Sequence, residues 1–332
     1  MKLPSLSVIL PNYNHGHLLP VCINAMISQS VPPSEIVIVD DGSTDDSVEV
    51  IKGLAGIHPI IKLYQNERNR GVSYTLNRGI EFASCEYMYF PAADDEVLPG
   101  FIEKSMALLA QYPRAGISCT IGDWRELGSG LKWHMGVGMA DKPDYLSPKA
   151  IVELEKRGRF FIPNHTAIMK RSALIEAGKF IPELKSTSDW FANNVVALRY
   201  GLCIVPEPLA IFNIDANSYF HRNRRDVRNY RQMLETILNL LSRPEYRDVA
   251  DLMREGGSLF LYGGPMLKLL LSRPEYRRFI TPTFLRKNLW HSTKLILKLF
   301  APAFLGNWYL RFAGYRAKAP LLAKGKTSIG KA

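Results

Sequence analysis

Through the first 120 residues, short apolar runs alternate with stretches whose apolar side chains recur every three or four positions. Residues 6–10, 35–41, 60–65, 86–90 and 115–122 read as strands. The intervening stretches 17–30, 71–84 and 101–112 read as helices, as does the segment opened by "GSTDDS" and carried through Val48, Ile51 and Leu54. Strands joined through helices imply a mostly parallel sheet covered on both faces. In such sheets ligands gather outside the carboxyl ends of the strands. Asp40 and Asp41 end the second run, and Asp94 and Asp95 follow the fourth, so the pattern puts both acid pairs at one edge.

Between residues 122 and 160 the rhythm is lost. "GSGLKWHMGVGMADKP" is glycine-rich and aperiodic, which predicts a long surface segment. Helical spacing returns in "SDWFANNVVALRYG", where Ser188 is placed to cap a helix running to Tyr200. "CIVPEPLAIF" follows as short strands. Beyond about Arg224 the pattern is helical, and "LLSRPEYRD" (240–248) is repeated as "LLSRPEYRR" (270–278). Each copy predicts a helix that stops at Arg-Pro and a new one that begins on the proline. Two copies make a duplicated helix–break–helix unit, not a solenoid. In "TFLRKNLWHSTKLILKLF", Lys287, Lys294 and Lys298 share one helical face, and Leu285, Leu289, Ile296 and Leu299 share another. That amphipathic helix suits an anionic membrane surface, the alternative being a helix docked on the main domain with a solvated basic face.

Composition narrows the class. With 332 residues, 47% of them hydrophobic and 22% charged, the chain is globular rather than disordered or membrane-spanning. Its first apolar run breaks at Pro11, too soon for a secretory leader. No stretch approaches the ~18–20 apolar residues that cross a bilayer. The expectation is a cytoplasmic protein. Cys22, Cys85, Cys119 and Cys203 lack paired spacing and sit among apolar neighbours, which predicts buried, reduced thiols. The net charge of +11 has an address: from Leu271 onward there are 13 Lys or Arg and one acid, Glu275, leaving the first 270 residues near −1. A basic tail implies an anionic partner. It carries no groove-reading motif, so lipid headgroups are the simpler anion and no nucleic acid is expected.

Carboxylates as close as Asp94, Asp95 and Glu96 repel unless something positive lies between them. Acid clusters on neighbouring strand ends suit Mn²⁺ or Mg²⁺, which take oxygen ligands and leave places for substrate phosphates. Alone, the triplet reads better as an exposed acidic turn. It is accompanied, in order, by "SVILPNYNHGHLL", "IVIVDDGSTDDS", "NRGVSYTLNRGI", "YFPAADDEVLPG" and "STSDWF". Over roughly residues 5–215 this ensemble resembles the family 2 glycosyltransferases. The resemblance implies the GT-A fold, an α/β, Rossmann-like architecture with a mostly parallel central sheet, helices on both faces and here a helical C-terminal extension. It implies inverting transfer of a single sugar from a nucleotide-diphosphate donor, with UDP expected, to a hydroxyl of a glycan or lipid-linked acceptor in cell-surface polysaccharide synthesis. The catalytic domain would occupy residues 1–222, with a nucleotide-sugar half of about 1–121 and an acceptor half of about 122–222. A basic helical region, 223–332, would lie at the inner face of the cell membrane.

The same resemblance assigns roles. Tyr13 matches the aromatic residue near the nucleobase, and Asp41 the carboxylate that accepts a hydrogen bond from it. Pro11, Asn14, Asn69, Gly71 and Asn77 fall in the motifs that hold the nucleotide sugar. Asp94 matches the last acid of the metal motif, followed directly by Asp95. Asp189 of "SDW" matches the base that takes the acceptor's proton. His165 and Trp190 are placed on the acceptor side. The chain also departs from the family: Ala92 stands where the first metal-motif acid is usual, Leu76 where Arg is common, and Asn213 and Asp215 where Arg and His are common. These departures support a second reading, a catalytically degenerate sugar-nucleotide-binding scaffold at the membrane. A nucleotidyltransferase is disfavoured because no Gly-rich, Lys-containing phosphate loop follows the first strand. His15 and His17 lack a third ligand, and Asp45 and Asp46 suit the positive end of a helix dipole.

Overall fold

The computed structural model describes residues 3–127, 132–214 and 227–290. Four strands, β1 (Leu6–Asn12), β2 (Glu35–Asp40), β3 (Ile61–Gln65) and β4 (Tyr87–Tyr89), are parallel and lie in the order β3–β2–β1–β4. They are linked by helices α1 (Leu19–Ile27), α2 (Ser47–Ile57) and α3 (Val72–Phe82). Every residue of β2 is buried, as a strand covered on both faces requires. Alternation along β1 divides the core in two. Val8 and Leu10 join α1 and α4 (Phe101–Gln111) on one side, and Ile9 joins Ile80 of α3 and α7 (Ser188–Tyr200) on the other. Gly79 in α3 faces the Ile9 side chain so closely that a Cβ there would collide with it.

Beyond β4 the sheet continues through β9 (Ile168–Lys170), β6 (Ile117–Glu126), β10 (Leu202–Ile214) and β5 (Glu96–Val97). β9 runs antiparallel to both β4 and β6, while β6 and β10 are parallel. The sheet is thus parallel over its first half and mixed over its second.

The described residues of 122–160 hold more regular structure than their composition predicts. β6 runs on to Glu126 and folds back as β7 (Lys132–Met135). β8 (Asp144–Leu146) pairs with β10, and α5 (Pro148–Lys156) follows, capped by Ser147 Oγ accepting from Ala150 N–H at 3.3 Å. Half-buried edge strands of three or four residues are too short to leave a period in the sequence. "CIVPEPLAIF" is likewise one strand, not several. The prolines at 206 and 208 cannot donate to the ladder, and register shifts between Val205 and Ala210 absorb them. Ser188 is the first residue of α7 and not its cap.

The C-terminal helices Val227–Leu241, Arg247–Gly256 and Gly263–Ser272 share one apolar core with α5 and α7. Both repeat copies break where expected, at 3₁₀ turns Pro244–Tyr246 and Pro274–Phe279. Each copy buries its tyrosine: Tyr246 donates to Ala177 O at 3.1 Å and Tyr276 donates to Asn239 Oδ1. A last described helix covers 282–290. Its predicted cationic face is corrected by the structure. Lys287 turns inward with Phe284 and Asn288, and Leu285, Leu289 and Trp290 are exposed. Lys294, Ile296, Lys298 and Leu299 lie outside the described residues. Among the described residues no helix is long and apolar enough to cross a membrane, and all four cysteines are buried and unpaired.

Candidate active site

The carboxyl ends of β1 and β2 carry a hydrogen-bonded nest. Asp40 accepts from Asn12 Nδ2 at 2.8 Å and from Ser43 N–H at 3.0 Å, which closes the "DDGS" turn. Asn14, with φ of 56°, accepts Thr44 N–H on its Oδ1 at 2.8 Å. Gly42 has φ of 75°, and a Cβ there would stand 2.7 Å from Arg68 Cα. Only glycine allows the 66–71 loop to lie so close. Asp41 is buried and holds that loop: it accepts from Asn66 Nδ2 at 2.6 Å, Arg70 N–H at 2.9 Å and Gly71 N–H at 2.8 Å. A carboxylate has about four acceptor positions, so one remains for a ligand. Beside this nest the Tyr13 ring is 42% exposed. Pro11 is half-buried, and Asn69 and Gly71 are exposed at the same edge. Asn77 departs from its predicted place. Its amide bonds the Phe180 carbonyl at 2.7 Å and Phe180 N–H at 3.0 Å, so both ends serve to brace a backbone segment. Asp45 accepts Gly16 N–H and Ser47 N–H at 3.1 Å each, the helix-opening role expected of it.

At the end of β4 the three acids part company. Asp94 and Glu96 are exposed, whereas Asp95 is buried beneath the loop with Oδ1 unpartnered. Burial and the neighbouring Asp94 push the Asp95 carboxyl well above the ordinary range, against a backbone hydrogen bond from Asn213. The Asn213 side chain also donates to Asp94 O at 2.8 Å. Hard carboxylate oxygens, one of them buried and without a partner, fit a hard divalent cation that completes its shell from a diphosphate. Among the described residues no three His, Cys, Asp or Glu side chains come together as a self-sufficient metal cage.

Asp189 sits in the first turn of α7, half-buried. Its Oδ1 accepts Trp190 N–H and its Oδ2 accepts Asn164 Nδ2, both at 2.7 Å. Asn193, one helical turn on, donates to Asn164 Oδ1 at 2.8 Å. Desolvation raises the Asp189 pKa to about 6 despite those donors. Asn164 and Asn193 form a relay that aims the carboxylate, and nothing in local pattern singles them out. A weak signal was the "PNHT" run, in which only His165 stands out as chemistry-bearing. Lys185, four residues before Asp189 in the chain, has φ of 49° and ψ of −122°, a strained conformation for a residue with a side chain.

His165 is 7% exposed, stacked on Phe212 at 5.4 Å, and desolvation drives its pKa down to about 3, so it is neutral. Its carbonyl accepts from Tyr89 Oη at 2.9 Å, which fixes the 164–166 turn at the carboxyl edge of β4. Trp190 packs edge-on against Tyr262 of the C-terminal helices at 5.2 Å and partners the core on that side. The structure thus brings Tyr13, Asp41, Asn69, Gly71, Asp94, His165 and Asp189 to one sheet edge. Asp215 lies outside the described residues.

Comparison with known proteins gives a consistent picture. The model of glycosyl transferase family 2 matches residues 7–178. An uncharacterised glycosyltransferase of Escherichia coli, YibD, is 36% identical over 148 residues, 42% of this chain and 42% of the relative. A Campylobacter jejuni GalNAc(5)-diNAcBac-PP-undecaprenol β-1,3-glucosyltransferase is 30% identical over 184 residues, 54% of this chain and 56% of that protein. The chain therefore spans about half the length of these relatives. Among solved structures, Staphylococcus aureus TarS 1–349 in complex with UDP-GlcNAc superposes with a TM-score of 0.59 at 19% identity, covering 83% of this chain and 79% of that one.

Proposed function

The chain belongs to glycosyl transferase family 2 and is a glycosyltransferase; from that premise we propose that it moves one sugar, with inversion, from a UDP-sugar to a hydroxyl of a glycan or lipid-linked acceptor. The observation that carries the proposal is the Asp189 carboxylate. It is held by Asn164 at the edge where Asp41 and Asp94 also gather, and its pKa of about 6 keeps it ionised at neutral pH yet basic enough to take a proton. The acceptor oxygen forms its bond to the anomeric carbon as its proton passes to Asp189. The bond from that carbon to the diphosphate oxygen breaks, and attack from the opposite face inverts the centre.

Tyr13 offers a ring for stacking on the base, and Asp41 keeps one lone pair for it. Asp94 would hold a divalent cation, with the unpartnered Asp95 oxygen below it. When bound, that cation supplies charge stabilisation for the departing diphosphate. The ligands named for TarS and the lipid-linked substrate in the Campylobacter enzyme's name support the donor and acceptor classes. Exposed Leu285 and Leu289 beside Arg286, leading into the basic tail, support attachment to an anionic membrane surface. Leu285→Glu with Leu289→Glu should release the protein from phosphatidylglycerol vesicles, and unchanged sedimentation would reject that attachment.

The decisive experiment is Asp189→Asn. Transfer should fall at least about a hundredfold, while UDP affinity with Mn²⁺, read by calorimetry, stays within about twofold. Normal turnover in that variant would remove Asp189 from the reaction. UDP binding that is unaltered by chelation would remove the cation.

A further inference from the structure

We infer that the aromatic apron where β6 and β7 meet the end of β10 is a binding subsite for a pyranose ring of the acceptor, an inference that rests on the glycosyl-transfer reading. β6 is fully buried for six residues and only half-buried over its last four. On that extension Trp124 stands directly opposite Trp133 of β7, with ring centres 5.7 Å apart. Phe212 of β10 lies 5.2 Å from Trp124, and Phe161 lies 6.3 Å from it. All four rings remain partly open to solvent. A mere core would bury them.

The second observation concerns polar atoms. Trp124 Nε1 is buried without a hydrogen-bond partner. His165, stacked on Phe212 and more than nine-tenths buried, leaves Nε2 unpartnered as well. The imidazole packs directly on Gly122, where a Cβ would stand 2.8 Å from that nitrogen. Buried polar groups are rarely left unpaired, and two on the aromatic face imply a ligand that pairs with them. The indole N–H donates, and the imidazole nitrogen serves as donor or acceptor. A sugar matches both features, offering a C–H face to an aromatic ring and a rim of hydroxyls that donate and accept. A hydrocarbon chain would leave the polar atoms orphaned.

The position is also right. Next to His165 in the same turn, Asn164 donates to Asp189 at 2.7 Å. A sugar on the apron therefore lies near the carboxylate assigned to the acceptor's proton.

The test labels the five tryptophans with 5-fluorotryptophan and follows ¹⁹F resonances, assigned by single Trp→Phe variants, during titration with methyl glycosides of glucose, galactose, mannose and N-acetylglucosamine. At least one glycoside should shift Trp124 and Trp133 saturably, with Trp290 unmoved. Trp133→Ala should weaken that binding roughly fivefold to tenfold, and Trp133→Phe should retain most of it. UDP affinity should stay within twofold in both variants. Absence of any saturable shift at Trp124 and Trp133, or an equal shift at all five, overturns the subsite. Loss of UDP binding by the wild-type protein would instead sink the donor reading, and a saturable shift would still mark a carbohydrate site.

Discussion

Asp189 shows how a side chain's surroundings set its chemistry. Removal of water raises its pKa to about 6, while hydrogen bonds from Trp190 N–H and Asn164 restrain the rise. A general base works only when ionised, so kcat/KM should fall about tenfold per pH unit below about 6 and level off above it. Asn164→Ala removes a donor that favours the charged form, and the acid limb should move to higher pH. An unmoved limb would show that Asn164 does not act through Asp189. Because the folded-state pKa lies above the unfolded one, this carboxyl favours the fold at low pH. That contribution is lost as pH rises through about 6. Asp189→Asn should therefore stabilise the protein at neutral pH, by about 2 kcal/mol in denaturant titration, while abolishing transfer. Asp189, the proposed base, was legible as a candidate from its motif. The Asn164–Asn193 relay was not, because amides from a turn and a helix meet only after folding.

Among the elements, the amino edge of the sheet is held by one acid. Glu35 begins β2 and accepts from Ser7 Oγ on β1 at 2.6 Å, Lys62 Nζ on β3 at 2.6 Å and Ser84 N–H before β4 at 2.6 Å. Burial alone would raise its pKa, but those donors outweigh it and hold it down to about 2. Its contribution is present above the ordinary carboxylate range and is lost as pH falls toward 2. Glu35→Gln should cost about 2 kcal/mol at pH 7, less as the solution is acidified, with UDP affinity unchanged because the residue lies at the opposite edge from the site. The strand itself was readable as a continuous apolar run. β7 and β8 were not, since three or four half-buried residues carry no periodicity and their existence depends on partners across the sheet.

At the scale of the whole molecule, the last described helix is tied to α5 by a buried ion pair. Lys287 Nζ meets Glu155 Oε2 at 2.8 Å and Gly256 O at 3.0 Å, and lies over the Phe260 ring. Desolvation raises the Glu155 pKa and lowers that of Lys287, each toward neutrality, and their mutual attraction opposes both shifts. Removing one partner strands the other charge. Lys287→Met should therefore destabilise by about 3 kcal/mol, and Glu155→Met with Lys287→Met together should recover much of that loss. The α5–α7 layer and the C-terminal helices share one core, so a division near residue 222, which we propose as a functional boundary, should not appear as two thermal transitions. Taken by itself, the sequence determined the alternating βα order, the motif carboxylates at the strand ends, the helix breaks at Arg-Pro and the concentration of basic charge in the tail. All of these are local: periodicity, turn chemistry and charge count are written within a few neighbouring residues. Only the tertiary structure decided which way Lys287 turns, that Asp94 faces solvent while Asp95 is buried, that Asn77 braces Phe180, and that Trp124, Trp133 and Phe212 share one surface. Those outcomes depend on which distant side chains arrive to pair with a charge or cover a ring, and a linear pattern does not contain that information.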